Sequence, residues 1–378
     1  MENLRIAWLL TSAFYYWHPP IAELAKLFPE TTAFVANWRG YAPGFEDSFT
    51  IDIVGERKII PIIKASKGYG YSFTYLPLNI VNRLLKFKPD VIFSNSFGIW
   101  TMIALLLKPL GRWRVVIAYE GSSPSTDARN SAPRLAIRRA MVKATDACIT
   151  NSHAGKAYLT EVLNASNEEV FVHPYEVPAV QALFSQSSDS QVFSQSWKPP
   201  IFIYVGSLIP RKGVNFLLEA CRDLKKQGHT NYTVLIIGDG TQENELKQFC
   251  RETELEDCVQ WIGRVKYGEL GAYFKKADVF VLPTLEDTWG MVILEAMILG
   301  KPILCSKFAG ASELITDGEN GYCFDPNQQE KLAELMYYFI EKPELADEMG
   351  KKSEQTMTQY TPEAAAHFFS KVIDFVNH

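Results

Sequence analysis

Two short stretches hold residues whose type and spacing could do chemistry. The first is Leu285-Glu286-Asp287-Thr288-Trp289-Gly290-Met291-Val292-Ile293-Leu294-Glu295-Ala296-Met297-Ile298-Leu299-Gly300. It follows an apolar run, Val279 to Leu282, that reads as a buried strand closed by Pro283. A helix is expected from about Gly290 to Leu299, with Gly300 ending it. That helix is apolar on almost every face, so it belongs in a core. Glu295 is the exception, and a carboxylate in such surroundings needs a partner. The first N–H groups of the helix carry partial positive charge and form a natural seat for a phosphate, which Gly290 would let approach closely. Together they suggest an anion held at the helix start and a polyol such as a ribose held by Glu295. The alternative is an ordinary helix with Asp287 or Thr288 as N-cap and Glu295 in water.

The second stretch is Tyr204-Val205-Gly206-Ser207-Leu208-Ile209-Pro210-Arg211-Lys212-Gly213. A strand runs into a glycine-containing loop with adjacent cations and then a helix. Arg211, through its planar fork, and Lys212, as a point charge, can neutralise a diphosphate; a surface basic pair is the alternative. Ile236-Ile237-Gly238-Asp239-Gly240 also ends a strand. It fails the dinucleotide fingerprint, because Glu243 stands where the third glycine should be. No G-x-x-x-x-G-K-[ST] phosphate loop and no D-x-D metal motif occurs. In the first half, Glu120 follows an apolar strand and precedes Gly121-Ser122-Ser123, where a carboxylate could bind or deprotonate an acceptor hydroxyl. A turn residue bonded to Ser122 or Ser123 is the plainer reading. His18 and His153 read as structural.

These residues need elements to position them. The chain has 378 residues, 47% apolar and 21% charged, which suits two domains with sizeable cores. Strand and helix patterns alternate from Leu4 to Leu163 and again from Ile201, separated by the Ser/Gln-rich stretch 185–200. The expected fold is α/β: two doubly wound, Rossmann-like domains facing across a cleft. Residues 1–184 form the first domain, 185–200 the linker and 201–361 the second, with a helix over 362–378 packing back on the first. Residues 37–75 give no clear pattern. In doubly wound sheets ligands bind beyond the carboxyl ends of the strands, and the cleft is the expected site.

Net charge is −5 but uneven. Residues 51–150 hold 15 Lys/Arg and 6 Asp/Glu, a net of +9; residues 201–378 hold 18 and 27, a net of −9. A basic first half suggests an anionic partner, such as an acceptor or a membrane surface contacted peripherally. Nucleic acid is disfavoured, since no recognition motif accompanies the charge. No secretory signal or membrane span is read, and the six cysteines include no C-x-x-C pair, so a reduced, cytoplasmic setting is expected, with contact at the inner membrane face as an extension.

In order, the motifs Tyr204-Val-Gly…Arg211-Lys212-Gly213, Gly238-Asp-Gly240, Trp261-Ile-Gly263, Glu269-Leu270, Ala277-Asp278, Asp287 to Glu295, Gly310…Glu313-Leu314-Ile315 and Asn320-Gly321 resemble the family 4 retaining glycosyltransferases of GT-B fold. They cover nearly all of residues 201–326; the first half matches more loosely, through Pro89-Asp90-Val91-Ile92 and Ala147 to Ser152. The resemblance implies a nucleotide-diphosphate sugar as donor and co-substrate, a hydroxyl acceptor (glycan, lipid-linked or small molecule), no other cofactor and no metal. It implies that Arg211 and Lys212 bind the donor diphosphate, that Asp287 contacts the donor sugar and that Glu295 holds the ribose. The backbone of Gly290, Met291 and Val292 would cap the phosphates, with Thr288, Trp289, Gly206 and Gly238 beside them, and Gly263 and Arg264 would flank the base. Asp287 stands where the family carries Glu, and Glu286 beside it competes for that role. The glycine pair after the first strand is replaced by Ser12-Ala13-Phe14, and Tyr119-Glu120 stands near the family's first-domain His. Other GT-B chemistry, such as epimerisation or phosphorolysis, and non-catalytic sugar-nucleotide binding are the rival readings.

Overall fold

The computed structural model describes residues 4–63, 71–186, 196–328 and 330–378. The middle of the Ser/Gln-rich linker, and Gln329 at the expected start of a helix, fall outside that range. The described chain divides into two compact units. The first holds the residues up to Ala179 together with Tyr360–His378, and the second holds Val180–Gln359.

The first unit is built on a seven-stranded sheet of order β3-β2-β1-β6-β7-β8-β9, parallel throughout. Its strands are β1 (Ile6–Leu10), β2 (Thr31–Val35), β3 (Thr50–Ile53), β6 (Val91–Asn95), β7 (Arg114–Tyr119), β8 (Ala147–Thr150) and β9 (Val170–Val172). The central strands are buried on both faces, which is why they read as unbroken apolar runs such as Ile-Ala-Trp-Leu-Leu. The crossover helices include α1 (His18–Leu27), α2 (Ile80–Phe87), α3 (Ile99–Gly111), α4 (Ala132–Ala144) and α5 (His153–Ala157), the last running into a wide turn over Tyr158–Val162. Between β3 and α2 lies an antiparallel pair, β4 (Lys58–Ile63) with β5 (Tyr71–Tyr75). The patternless stretch 37–75 therefore holds three strands. β3 is an edge strand with an exposed, mixed pattern, so it lacks the apolar run of the interior strands.

His18 shows what the aromatic segment after β1 is for. It is fully buried, and its Nδ1 accepts the Ala42 N–H at 2.7 Å. Rings of Tyr15, Trp38, Tyr41 and Phe49 surround it, and burial lowers its pKa to about 4. A neutral imidazole of this kind ties the 38–49 segment to α1.

The second unit is a six-stranded parallel sheet of order β12-β11-β10-β13-β14-β15. The strands are β10 (Ile201–Val205), β11 (Thr233–Ile237), β12 (Val259–Gly263), β13 (Val279–Leu282), β14 (Ile303–Ser306) and β15 (Gly321–Phe324). The winding reverses between β10 and β13, so the loops after these two strands diverge at the switch point. A helical turn, α6 (Val180–Leu183), begins this unit. Phe184 lies over Gly271, where a Cβ would meet its ring at 2.4 Å, and Gln186 N–H donates to the Gly268 carbonyl at 3.1 Å. The change of unit thus falls at Ala179/Val180, ahead of the Phe184/Ser185 boundary read from composition.

The remaining helices are α7 (Val214–Lys226), α8 (Glu243–Glu252), α9 (Leu270–Lys276), α10 (Met291–Ile298), α11 (Lys331–Glu341), α12 (Glu344–Met357) and α13 (Pro362–Asn377). Gly310–Leu314 makes only a 3₁₀ turn, and α12 had no counterpart in the pattern reading. α13 returns to the first unit. Its Phe369 meets Trp8 edge-on at 4.7 Å, while Trp8 stacks on Phe93 at 4.6 Å. Thr361 caps this helix, accepting the Ala364 N–H at 3.2 Å, and Pro362 occupies its first position. Thr361→Ala is expected to cost about 1 kcal/mol, read as a lower urea midpoint with an unchanged slope.

Candidate active site

Glu295 sits in the middle of α10 and is buried with its apolar neighbours. Its partner is the Tyr267 hydroxyl. Tyr267 lies in a 3₁₀ turn just before α9, and no spacing in the sequence ties it to Glu295. Burial raises the Glu295 carboxyl to about 7, with the tyrosine hydrogen bond opposing the shift. The solvated alternative for Glu295 is therefore excluded.

The start of α10 is open. Gly290 is its N-cap, in the left-handed region at φ 95°, and no side chain caps it. Neither Asp287 nor Thr288 serves as the N-cap, because both lie before that glycine turn. The backbone of Asp287 is instead engaged sideways. Its N–H donates to the Phe308 carbonyl at 3.1 Å, and its carbonyl accepts the Gly310 N–H at 3.1 Å. Trp289 also departs from expectation. Its indole is buried, so the ring packs inside the unit and does not line a surface; its carbonyl accepts the Ala311 N–H at 2.7 Å. Thr288, Met291 and Val292 are half-buried around the helix start.

Arg211 and Lys212 come from the 3₁₀ turn Pro210–Lys212 that follows β10. Lys212 forms an ion pair with Asp287, both side chains being largely buried at 12% and 9% exposure. Arg211 Nη1 donates to the Glu286 carbonyl at 3.0 Å. The backbone reinforces the link: the Arg211 carbonyl accepts from Leu285 N–H at 2.7 Å and from Thr284 Oγ1 at 2.8 Å. The plain surface-pair reading of these cations is thereby excluded. Two loops that diverge at the switch point are laced together, and both cations lie at the residues that lead into α10.

Beside them the strands end in glycine. Gly206 follows β10, Gly238 follows β11 and Gly263 closes β12. Gly238 has φ 138°, and a Cβ there would lie 1.9 Å from the Gly206 carbonyl oxygen. Only glycine lets these neighbouring turns pass so closely. Its N–H donates to the Gly263 carbonyl at 2.8 Å, and Gly206 N–H donates to the Ile237 carbonyl at 2.9 Å. Arg264 is exposed next to this ledge, 3.8 Å from Asp239. Tyr204 lies beneath, its hydroxyl donating to the Ser207 carbonyl at 3.0 Å; burial and the nearby Asp287 charge keep the phenol neutral.

In the first unit Glu120 stands at the carboxyl end of β7 and accepts from Asn95 Nδ2 at 3.1 Å. The serines expected as its partners are occupied elsewhere. Ser122 donates to Asp127 at 2.6 Å, and the Ser123 hydroxyl pairs with Thr126 at 2.8 Å. A second acid, Glu176, is fully buried and accepts from Asn151 Nδ2 at 3.0 Å. Burial, and then the charge of Glu120, raise it well above the usual carboxylate range. Sequence reading missed Glu176, because its residue lies beyond the short strand β9, which was itself not recognised.

The model for glycosyl transferases group 1 matches residues 186–356, and that for glycosyltransferase family 4 matches residues 22–175. Between them they span most of both units. The chain belongs to the family 4 glycosyltransferases. Among similar proteins, an uncharacterized glycosyltransferase of Methanocaldococcus jannaschii is 26% identical over 46% of this chain and 47% of its own length. The amylovoran biosynthesis glycosyltransferase AmsK of Erwinia amylovora is 33% identical over 37% of this chain and 35% of its own. The glycogen synthase of Mycobacterium tuberculosis is 26% identical over 59% and 52%. The chain thus spans about half the length, or less, of these curated relatives. Solved structures extend the likeness over both units of this family 4 glycosyltransferase. HepE of Anabaena, in complex with UDP, has a TM-score of 0.74 at 17% identity, covering 98% of this chain and 100% of HepE. Sucrose-phosphate synthase of Thermosynechococcus elongatus has a TM-score of 0.72 at 20% identity, covering 98% of each chain. The fold is GT-B.

Glu295 gives a family 4 glycosyltransferase of this kind a measurable pH response. A carboxyl near 4.5 when unfolded and about 7 when folded binds its proton more tightly in the native state. Stability from this group is therefore full below the unfolded value and falls as pH rises from about 4.5 through about 7. Glu295→Gln should remove that decline and leave the variant more stable at pH 8 by roughly 2–3 kcal/mol. Urea melts of both proteins at pH 5 and pH 8 check this; parallel pH dependences would refute it.

Proposed function

We propose that the protein transfers a sugar from a nucleotide-diphosphate sugar to a hydroxyl acceptor with retention of anomeric configuration, binding the donor on the second unit. The observation that carries this is the convergence of Arg211 and Lys212 on Glu286 and Asp287 immediately before the uncapped start of α10. The diphosphate would lie against the Gly290–Val292 backbone and the two cations. The nucleoside would extend over the Gly206, Gly238 and Gly263 ledge, with Arg264 at its far side and its ribose hydroxyls on Glu295. Support for a nucleotide donor also comes from HepE, whose structures are in complex with UDP and with UDP-glucose.

Chemically, the bond between the anomeric carbon and the diphosphate oxygen breaks, and its electron pair leaves with the diphosphate. The acceptor oxygen forms the new bond on the same face, and its proton passes to the departing phosphate oxygen. Charge grows on the leaving group, so preorganised cations and N–H dipoles act mainly in the transition state. Asp287 holds Lys212 in place and is near enough to the helix start to receive a sugar hydroxyl. In this assignment no metal neutralises the diphosphate. Glu120, half-exposed at the end of β7, is the first-unit carboxylate suited to an acceptor hydroxyl.

Calorimetric titration of the full chain with nucleoside diphosphates tests the assignment. Saturable binding of at least one of them is expected, weakened by Arg211→Ala. Failure of all of them to bind would overturn it.

A further inference from the structure

Three strands of the first unit end in register, and the residues four positions beyond those ends lie side by side. Leu10, Val35 and Ile53 are partners across β1, β2 and β3. Phe14, Arg39 and Arg57 each follow four positions later. Main-chain bonds keep the three exits together: Ala36 N–H donates to the Leu10 carbonyl at 3.4 Å, and Arg57 N–H donates to the Ala36 carbonyl at 2.8 Å. The Arg39 guanidinium carbon is 5.8 Å from the centre of the Phe14 ring. Burial, and then the charge of Arg39, lower the pKa of Arg57. The two cations are therefore neighbours at the carboxyl edge of the sheet, where doubly wound folds hold their ligands.

Like charges held together repel, and an acid between them ordinarily relieves the repulsion. None does so here. Among the described residues neither guanidinium makes an ion pair or a hydrogen bond. The acids nearest in the chain are engaged or turned outward. Asp52 pairs with Arg83 at 3.3 Å, Glu46 accepts the Gly44 N–H at 2.9 Å, and Asp47 and Glu56 are exposed. Nor are the two arginines on loose chain. Trp38, next to Arg39, packs on the buried His18 ring at 5.2 Å, and Arg57 is half-buried with its backbone tied to Ala36. The site is thus set in place with its donors unspent, and each planar fork can bind a carboxylate or phosphate through two parallel bonds.

We propose that Arg39 and Arg57 form an oxyanion site that takes a phosphate monoester carried by the acceptor, with Phe14 against the apolar face of the same molecule. A phosphate monoester fits better than a carboxylate, because it offers three acceptor oxygens and about two negative charges to two forks. Phe14 is 39% exposed, so its ring is open to such a contact. The site is built from the first unit alone, whereas Arg211 and Lys212 belong to the second. Its role in acceptor binding rests on the transfer reading above; the oxyanion site itself does not.

Calorimetric titration of the full chain with glucose 6-phosphate, and with glucose as the uncharged control, tests it. Saturable binding of the phosphate is expected, roughly tenfold or more tighter than that of glucose, because both forks make charge-assisted bonds. Arg39→Gln and Arg57→Gln should each weaken it roughly fivefold or more. Neither change should alter nucleoside diphosphate affinity, and unchanged thermal unfolding of each variant verifies the fold. Dihexanoyl phosphatidic acid sorts the source of the phosphate: tighter binding of the sugar phosphate assigns it to a sugar, the reverse order to a lipid, and either order supports the site. Absence of phosphate binding would overturn the proposal, and so would full retention of binding by both glutamine variants. Loss of phosphate binding in Arg211→Ala, with none in the glutamine variants, would assign the anion to the second unit's cations instead. Should no nucleoside diphosphate bind, the donor assignment falls while the glucose 6-phosphate titration still decides this site. With a donor in hand, Arg57→Gln should lower kcat/KM roughly fivefold or more for a phosphorylated acceptor and leave that for its unphosphorylated form unchanged. Equal losses for both would reject the acceptor role.

Discussion

Replacing Arg211 and Lys212 together by alanine is expected to slow sugar transfer by roughly 10³–10⁴-fold: each preorganised charge or donor on a developing oxyanion is worth about 10²–10³, and two that act as a unit lose less than the product. The loss should appear mainly in kcat. In the proposed complex the diphosphate is already charged before the bond breaks, so both cations would contribute to binding. The additional negative charge that forms on bond cleavage is met only in the transition state. Lys212→Ala alone is a less clean experiment, because it strips the cation from Asp287 and leaves a largely buried carboxylate unpaired. Lys212→Ala with Asp287→Asn removes both charges and separates the catalytic from the structural loss. Assay of nucleotide release in the presence of a competent acceptor provides the measurement. A double variant within fivefold of the parent would reject the assigned role of the cations while leaving the family membership intact.

Gly310→Ala should be a severely damaging small substitution near the site, costing roughly 2–4 kcal/mol of stability. The added Cβ would lie 2.2 Å from the Thr288 carbonyl oxygen and 3.1 Å from the Trp289 Cα. Both obstacles are backbone atoms, so no side chain can swing away. Moreover, that backbone is fixed by three hydrogen bonds, from Asp287 N–H to Phe308, from Gly310 N–H to Asp287 and from Ala311 N–H to Trp289. Relief must come from displacing residues 287–290, which carry the Lys212 partner and the start of α10. Nucleoside diphosphate affinity should therefore fall at least tenfold along with the urea midpoint. Gly228→Ala is the control: it has a positive φ, which Gly310 lacks, but open space around it, so it should lose only the cost of backbone strain. Equal effects at the two positions would show that steric locking of the 287–290 segment is not what matters.

Much of the architecture is legible because parallel strands covered on both faces must be apolar throughout. Ile6–Leu10, the first three residues of Val91–Asn95, Ile201–Val205 and Val279–Leu282 all carry that mark. The mark fades at the edges. β3 and β9 are short edge strands, and β4 pairs only with β5, so none needed an uninterrupted apolar run. α12 escaped notice because it is polar along much of its length, its helical stripe limited to Ala346, Met349, Gly350, Ser353 and Met357. The unit boundary was misjudged because Phe184 packs on Gly271, a contact across more than eighty positions that local composition does not encode.

The sequence by itself determined which residues could serve a charged, hydroxyl-rich ligand: the cation pair, the open helix start and one acid in an apolar helix are each local features. Tertiary structure decided how they meet. It paired Lys212 with Asp287, gave Glu295 the Tyr267 hydroxyl, turned the Trp289 indole inward and added Glu176 near Glu120. It also exposed the leucines of α3, which a reading of hydrophobicity alone would have buried. Spacing along the chain reports what one helix or strand presents, since backbone geometry repeats over a few residues. Partners and exposure depend on which elements the sheet order brings side by side, and that is fixed by packing over the whole unit.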